Sequence, residues 1–294
     1  MRTSSASPIP IRRPTYRDAM TIATATELEA DWAARVRANR EQVDQVREVP
    51  DRDFYAPVSS LFVADPRRTG EEALDALLAL VRPDDRWLDI GAGAGRYALP
   101  LALRVDEVIA VEPSASMRNA LRAGKSEHGL TNLRLVGAAW PEALAELGEP
   151  PVADVALVAH VGYDIESIGP FLDAMERAAG RLCVAMLTDQ SPASVADPFW
   201  PIVHGMDRVP LPALPELAEL LRARGRSTEI VRVERAPRTF DSFDGLATFL
   251  RRQLWITETG RRSSGSGRRW PGWPASATMT AGPSSRHRSA RSGS

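Results

Sequence analysis

The sequence contains very little cysteine and no excess of charge of either sign. Cys183 is the single cysteine among 294 residues, which excludes an intrachain disulfide and any metal centre built on several cysteines. One free thiol fits a reducing compartment such as the cytoplasm. The formal net charge is -1, so the chain as a whole offers no positive field to attract a nucleic acid. We therefore expect a cytoplasmic protein and disfavour a nucleic acid partner.

Long apolar runs are also missing. The N-terminal stretch from Thr3 to Pro14 lacks the apolar core of a signal peptide. No segment reaches the roughly 18 apolar residues that a membrane helix needs, so we expect no membrane partner. Lys125 is the only lysine, and we attribute this skew towards arginine to genome composition rather than to a binding function.

The composition divides the chain into four regions. Residues 1–16 are rich in Ser, Pro and Arg and are expected to be flexible. Arg17 to Val49 is rich in helix formers and is followed by an irregular segment, so 17–70 predict a helical N-terminal extension or lid. Residues 71–260 predict the main domain. Residues 261–294 contain neither Asp nor Glu and lose all apolar periodicity. They predict either a disordered tail or the product of a shifted reading frame.

Apolar runs alternate with helical segments through the main domain. Residues 71–81 have the apolar face and acidic first turn of a helix. From Arg86 to Leu187 the pattern gives five strands separated by helices, and residues 228–236 predict a sixth strand. This alternation predicts an α/β fold with a Rossmann-like, doubly wound, mainly parallel sheet.

The clearest motif is an apolar strand that runs directly into alternating glycines. Residues 87–95 read WLDIGAGAG. Gly91 and Gly93 would let the backbone turn tightly and a ligand approach it closely. The next strand ends in Glu112, close to the roughly 20-residue interval at which an acid meets ribose hydroxyls in nucleotide-binding folds. A carboxylate at that position can accept two hydrogen bonds from a vicinal diol.

A dinucleotide fingerprint requires glycine or alanine where this chain has Arg96. The segment instead resembles the first motif of the class I S-adenosylmethionine-dependent methyltransferases, D-x-G-x-G-x-G, which Asp89, Gly91, Gly93 and Gly95 match. The resemblance covers roughly residues 53–187. It implies S-adenosylmethionine as the cofactor, with Asp89 near its amino group and Glu112 on its ribose. The cofactor-binding residues predicted in this way are Asp89, Gly91, Ala92, Gly93, Glu112, Pro113, Met117, Ala139, Trp140 and His160.

The resemblance also implies where the adenine lies. Pro113 and Met117 would flank the ring. The third strand ends in Ala139 and Trp140, where many relatives have an acidic residue, so the adenine would rest on backbone groups and on packing by Trp140. Phe54 and Tyr55 could close over the cofactor by resemblance, or they could simply anchor the N-terminal helices.

Two side chains that follow the fourth strand are the candidate catalytic residues. Ligands bind beyond the carboxyl ends of parallel strands, which would place His160 and Tyr163 near the transferred methyl group. His160 could act as a general base towards a hydroxyl acceptor. It could equally be a histidine that only packs and forms hydrogen bonds at the strand end. No metal is implied.

The acceptor is constrained mainly by motifs that are missing. The sequence after the fourth strand has no Asn-Pro-Pro-Tyr or Asp-Pro-Pro-Tyr, the signature of relatives that methylate amino groups of nucleic acids and glutamine. Cys183 lies in an apolar strand and is predicted to be a core residue rather than a nucleophile. We expect methyl transfer to a small-molecule acceptor. The alternatives are an NAD(P)-dependent oxidoreductase and a catalytically inactive cofactor-binding protein.

The family usually closes its sheet with a seventh strand, and no segment after Trp255 predicts one. A bare sheet edge would favour a homodimer.

Overall fold

The computed structural model describes residues 23–48, 53, 55–56, 59–234, 239–240 and 242–257. The predictions for residues 1–16, for Phe54 and for the tail 261–294 lie outside these described residues. No helix in the described ranges is long and apolar enough to cross a membrane.

Five parallel strands form a single sheet at the centre of the described chain. They are β1 Arg86–Ile90, β2 Glu107–Val111, β3 Leu133–Val136, β4 Ala153–Ala159 and β5 Ala179–Met186. Their spatial order is β3-β2-β1-β4-β5, and every pairing is parallel. The chain therefore winds outwards from β1 in both directions, which confirms the predicted doubly wound fold.

The strands are apolar on both sides, so helices cover both faces of the sheet. The helices of the described chain are α1 Ala25–Val46, α2 Glu72–Leu78, α3 Ala98–Ala102, α4 Ala115–Glu127, α5 Leu144–Leu147, α6 Ile168–Ala178, α7 Trp200–His204, α8 Leu214–Ala223 and α9 Phe243–Gln253. On one face Leu88 and Ile90 pack with residues of α1, α6 and α8. On the other face Trp87, which is fully buried, packs with residues of α2, α3 and α4.

Helix α1 lies within the region predicted to form a helical N-terminal extension. Thr24 caps this helix, since its hydroxyl accepts from the Glu27 amide at 3.3 Å while the Glu27 carboxylate accepts from the Thr24 amide at 2.8 Å. Trp32 is 2% exposed and donates to the Ile165 carbonyl at 2.9 Å. The helix is thus bound to the segment between β4 and α6 rather than standing apart from the domain.

A third cluster of buried side chains joins the two ends of the described chain. It consists of Val43, Val46, Ala196, Trp200, Leu254 and Ile256, which we call the cap cluster. The amide of Glu48 donates to the carbonyl of Trp255 at 2.8 Å, and the Glu48 carboxylate accepts from the Thr257 amide at 3.2 Å. The end of α1 and the segment after α9 therefore pack as one unit with α7.

The prediction of a sixth strand is wrong for the described part of residues 228–236. Residues 228–234 pair with no strand. This segment instead forms one ion pair and one hydrogen bond with other parts of the chain. Arg232 lies 3.1 Å from Asp189, and the Glu234 amide donates to the Glu72 carboxylate at 2.8 Å. Ile230 and Val231 stay 48% and 65% exposed. The outer edge of β5 therefore has no partner strand among the described residues.

The prediction that Cys183 is a core residue is also wrong. Cys183 is exposed, because β5 is an edge strand and its outer side is not covered. Its Sγ lies 3.7 Å from the Met175 carbonyl oxygen. Partial desolvation and the nearby charge of Glu176 raise the pKa of this thiol to about 11. The thiol is therefore protonated at neutral pH and a poor nucleophile.

The third glycine of the motif makes a testable packing contribution. Gly95 has φ +89°, and a Cβ at this position would lie 2.8 Å from Cγ of Leu99. Gly225 has φ +70° with no atom within 4 Å of such a Cβ, so it is a matched control. Both alanine variants should lose about 1–2 kcal/mol to backbone strain. Gly95→Ala should lose about 1–3 kcal/mol more from overpacking. Urea unfolding of both variants measures this difference, and equal losses would contradict it.

Candidate active site

The strand register brings the predicted motif residues to one edge of the sheet. Ile90 at the end of β1 pairs with Val111 of β2 and with Val158 of β4. The segments that follow these strands therefore start at the same level. The amides of Gly91 and Ala92 both donate to the Val111 carbonyl, at 2.8 and 3.0 Å, which fixes the start of the glycine turn against β2. The predicted cofactor residues that follow β1 and β2 are thus brought together.

The glycines of the turn are required for different reasons. A Cβ on Gly91, which has φ +76°, would lie 2.5 Å from Cγ2 of Val161, so this glycine allows the segment after β4 to pack on the turn. Gly93 has φ +57°, and a Cβ added there would meet no atom within 4 Å. The open side of Gly93 is the position at which a ligand can approach the backbone closely.

The Glu112 carboxylate connects this turn to the next one. Its Oε2 accepts from the Gly93 amide at 2.8 Å, and its Oε1 accepts from the Ser114 amide at 2.7 Å. Glu112 is only 6% exposed. Burial raises the pKa of this carboxyl above its usual value, although the two amides and the charge of Arg118 act in the opposite direction. Each oxygen retains a lone pair for a further donor, as a ribose diol would require.

Asp89 is the second buried carboxylate of the site. It is 2% exposed, and its Oδ1 is buried with no hydrogen-bond donor among the described residues. Burial, together with the charge of Glu112, raises the pKa of Asp89 to about 7, although the Ala98 amide acts in the opposite direction. An acid in this position is stabilised as a carboxylate when a cationic donor binds beside it. The structure thus provides a buried acceptor oxygen that lacks its donor.

The residues predicted to contact adenine are arranged around the ends of β2 and β3. Pro113 and Ala139 are exposed, whereas Met117 is 2% exposed. Trp140 is 8% exposed and donates to the Phe171 carbonyl at 3.2 Å, so its ring packs into the core beneath α6. The adenine contacts of all four residues stay predictions.

Arg118 also belongs to this site, although the sequence motifs did not point to it. Its Nη1 donates to the carbonyls of Glu112 and Pro113, at 2.8 and 2.6 Å. It is a cation in the first turn of α4, where the helix dipole disfavours positive charge. A positive charge at this unfavourable helix position was the sequence signal that Arg118 has a specific hydrogen-bond partner. Arg118 therefore holds the backbone of Glu112 and Pro113 in position.

His160 and Tyr163 are both placed at this edge by the end of β4. His160 is half-buried and has φ +59°, a left-handed conformation that costs a non-glycine residue about 1–2 kcal/mol. Its amide donates to the Met186 carbonyl at 2.8 Å. The hydroxyl of buried Tyr163 accepts from the Thr188 amide at 2.8 Å, which connects the segments that follow β4 and β5. Their catalytic roles stay predictions.

Asp53 reaches the same edge from the N-terminal extension. Its carboxylate accepts from the Ser114 hydroxyl and from the Ser116 amide, each at 2.8 Å. Nothing in the local sequence indicated this contact, because Asp53 and Ser114 are 61 positions apart.

A polar cavity of about 130 Å³ lies beyond the carboxyl end of β5. Its lining includes Arg35, Ser191, Ser194, Asp197, Arg208 and Glu216. The Arg208 side chain is 5% exposed, and its guanidinium lies 4.6 Å from the centroid of Trp200. Burial lowers the pKa of Arg208, and Asp197 at 3.6 Å opposes this effect. Helices α1 and α8 contribute residues to the walls, so this cavity is covered by the N-terminal extension.

A wider cleft of about 740 Å³ lies at the opposite edge of the sheet, along β3. Arg122, Lys125 and Arg134 line it together with Asp106 and Glu107. None of the glycine turn residues belongs to this lining. The cleft is therefore separate from the site at the carboxyl ends of β1, β2 and β4.

Several known proteins are similar to parts of this chain, although no family model matches it. Over 152 residues it is 31% identical to the tRNA/tmRNA (uracil-C(5))-methyltransferase of Ectopseudomonas mendocina, covering 49% of this chain and 42% of that protein. It is 27% identical to the probable cobalt-precorrin-6B C(15)-methyltransferase (decarboxylating) of Methanothermobacter thermautotrophicus, covering 43% and 67%. It is 36% identical to the protein-L-isoaspartate O-methyltransferase of Methylorubrum extorquens, covering 35% and 42%.

These relatives are all methyltransferases, and together with the fold they confirm the class that the glycine motif predicted. The chain therefore contains a domain that is similar to these methyltransferases and has the doubly wound parallel sheet expected of that class. It spans less than half the length of the uracil and isoaspartate methyltransferases that it matches.

The expectation that disfavoured a nucleic acid partner is wrong. Several of the relatives are named as tRNA or rRNA methyltransferases, which makes a nucleic acid substrate plausible. The physical error lay in using the net charge of the whole chain. A sum over all residues does not describe the local field at an acceptor site.

The raised pKa of Asp89 predicts how the stability of the ligand-free protein depends on pH. Because the folded-state pKa of about 7 exceeds the ordinary aspartate value of 3.8, the folded protein binds the additional proton. Its unfolding free energy should therefore fall as pH rises from about 4 to 7. Asp89→Asn removes this titration while keeping the shape of the side chain. The melting temperature of wild type minus that of Asp89→Asn should decrease between about pH 5 and pH 8. A constant difference would contradict the shift.

Proposed function

We propose that the whole protein transfers a methyl group from S-adenosylmethionine to a small-molecule acceptor. The observation that carries the proposal is the buried Oδ1 of Asp89, which has no donor among the described residues and lies beside the glycine turn. The cofactor has an ammonium group that would supply this donor. A neutral or anionic group at the same position would leave the carboxylate buried and uncompensated.

The surrounding residues fit the rest of the cofactor. Gly93 leaves open space on the side where the methionine part would lie. Glu112 has lone pairs available for the two ribose hydroxyls while it holds the turn through the Gly93 amide. Because these acceptors are already fixed by backbone amides, the cofactor would bind without extensive rearrangement of the site.

When bound, the cofactor would supply a methyl group on a positively charged sulfur, and an acceptor would attack that carbon in line while the sulfur leaves as the neutral thioether of S-adenosylhomocysteine. The chain contributes alignment of the acceptor and a site from which water is excluded. We propose that His160 removes a proton from the acceptor, because it directly follows β4 at the edge of the sheet where β1 also ends, and it is half-buried there. Tyr163 would act by holding the Thr188 segment in place through its hydroxyl.

The covered cavity beyond β5 supports a small-molecule acceptor. At about 130 Å³ it is smaller than the roughly 300–1,000 Å³ of a ligand pocket, so it could hold only part of a small compound. That volume suits the polar end of a small compound. The N-terminal extension would then act as a lid, because Arg35 of α1 forms part of the cavity wall.

Methylation of an RNA base is the second candidate, and the uracil methyltransferases among the relatives favour it. Carbon 5 of uracil reacts readily with a methyl donor only after a nucleophile has added to carbon 6. Cys183 is the single cysteine of the chain, and its pKa of about 11 leaves it protonated. This second candidate therefore requires another nucleophile or an acceptor atom other than this carbon.

We also propose a cytoplasmic location, which an exposed free thiol at Cys183 supports.

Binding of S-adenosylhomocysteine tests the proposed function directly. Titration calorimetry should show saturable binding to wild type and none for NADH. Gly93→Ala should weaken binding at least tenfold, because its Cβ would fill the space that the ligand needs. Gly129→Ala is the matched control: its φ of +62° resembles the +57° of Gly93, and neither glycine has an atom within 4 Å of an added Cβ. Equal weakening in both variants would indicate backbone strain rather than ligand contact.

Binding of NADH alone would replace the proposal with the oxidoreductase alternative. Binding of S-adenosylhomocysteine without turnover of any small molecule or RNA would support an inactive binding protein.

His160→Asn separates catalysis from backbone strain. Asparagine tolerates the left-handed conformation but supplies no general base. In an assay with an identified acceptor, kcat should fall by about 100-fold or more, while S-adenosylhomocysteine should still bind. An unchanged kcat would remove His160 from the reaction. Arg226→Gln, at an exposed ion pair with Glu176, serves as the control.

A further inference from the structure

Asp53 holds the turn that follows the carboxylate proposed to bind ribose. Its two oxygens lie 2.8 and 2.9 Å from the Ser114 hydroxyl, and its Oδ2 also accepts from the Ser116 amide at 2.8 Å. The Ser114 hydroxyl in turn accepts from the Met117 amide at 3.2 Å, which caps α4. A side chain from the N-terminal extension therefore completes the first turn of a helix in the main domain.

Ser114 is shared between two carboxylates. Its hydroxyl donates to Asp53, and its amide donates to Oε1 of Glu112 at 2.7 Å. Asp53 also accepts from the Ser116 amide, so it holds the backbone of this turn as well as the Ser114 side chain. A shift of the turn would move the Ser114 amide that donates to Glu112.

The charges are consistent with this coupling. Burial raises the pKa of Asp53, but the hydrogen bonds from Ser116 and Ser114 outweigh it, so the pKa of Asp53 lies below its usual value. The charge of Asp53 is one of the effects that raise the pKa of Glu112. Two ionised groups stay near each other because backbone amides, hydroxyls and the N-terminus of α4 donate to them. Removal of the Asp53 charge should relieve repulsion but loosen the turn.

Tyr55 follows Asp53 along the chain and shares its anchor. The Tyr55 amide donates to Oδ1 of Asp53 at 3.2 Å. Desolvation and the charges of Asp164, Glu112 and Asp53 raise the pKa of Tyr55 to about 12. Asp53 therefore holds the backbone of Tyr55 as well as the turn that begins α4.

We infer that Asp53 is a positioning residue for ribose recognition. This role rests on the proposed function, and it assigns to the N-terminal extension a part in cofactor binding. In this arrangement Asp53 fixes Ser114, Ser114 fixes Glu112, and Glu112 receives the ribose hydroxyls. The extension and the cofactor then stabilise each other, since each orders the same turn.

The test is a double cycle of protein and ligand changes. The ligands are S-adenosylhomocysteine and its analogue that lacks both ribose hydroxyls, and the proteins are wild type and Asp53→Ala. Calorimetry should show about tenfold weaker binding of S-adenosylhomocysteine to Asp53→Ala, and less than twofold weakening for the analogue. Such unequal losses measure coupling between Asp53 and the hydroxyls. Equal losses for both ligands would overturn the inference, because a merely structural effect does not distinguish them.

Two further variants keep the result interpretable. Asp44→Ala removes an exposed acid of α1 that pairs with Arg47, and it should leave both affinities unchanged. Asp53→Asn keeps an acceptor oxygen for the Ser116 amide and should show a smaller ligand-dependent loss, which covers the case in which Asp53→Ala does not fold. If wild type fails to bind S-adenosylhomocysteine, the proposed function fails. If wild type binds and the Asp53 variants match it, only the inference fails.

Discussion

The arrangement of the site depends on the hydrogen bonds of one carboxylate. Glu112 accepts from the Gly93 amide with one oxygen and from the Ser114 amide with the other. The first amide belongs to the turn after β1 and the second to the turn after β2. Parallel pairing of β1 and β2 brings these turns to the same level, but it does not connect them. The Glu112 carboxylate connects the two turns and so fixes the position of the backbone that a ligand would contact.

The charge of Glu112 disfavours ionisation of Asp89. Two acids lie in a buried region, and the charge of Glu112 contributes to the raised pKa of Asp89. The ligand-free site therefore contains an unfavourable interaction that a bound cation would relieve. The cofactor that we propose would relieve this interaction with its ammonium group, and its ribose diol would donate to Glu112.

The parts of the fold that follow from local periodicity could be predicted from the sequence. The apolar runs at β1 and β2, the glycine turn and Glu112 are all encoded within a few residues of one another. Residues 228–234 show the limit of local patterns, since they have an apolar pattern but pair with no strand, although the outer edge of β5 has no partner among the described residues. Cys183 has a similar explanation, because strand burial depends on whether a neighbouring strand exists.

Contacts between distant segments could not be predicted. Asp53 binds Ser114 across 61 positions, and the cap cluster joins Val43 to Leu254. Neither pairing has a periodic or local signature. The environment of Trp140 is a related case: the sequence places it at the end of β3, but only the packing of α6 shows that its indole donates to Phe171. Side-chain direction at a strand end is set by the elements around it.

The glycine turn has a consequence for how this sequence can diverge. Gly91 and Gly95 are constrained by protein neighbours, because an added Cβ would meet Val161 at Gly91 and both Leu121 and Leu99 at Gly95. A Cβ on Gly93 would meet no protein atom within 4 Å. In a set of homologues, a substitution at Gly91 should therefore appear with a smaller residue at 161, and one at Gly95 with smaller residues at 121 and 99. A substitution at Gly93 should instead accompany a change of ligand. Packing therefore constrains Gly91 and Gly95, whereas ligand binding constrains Gly93.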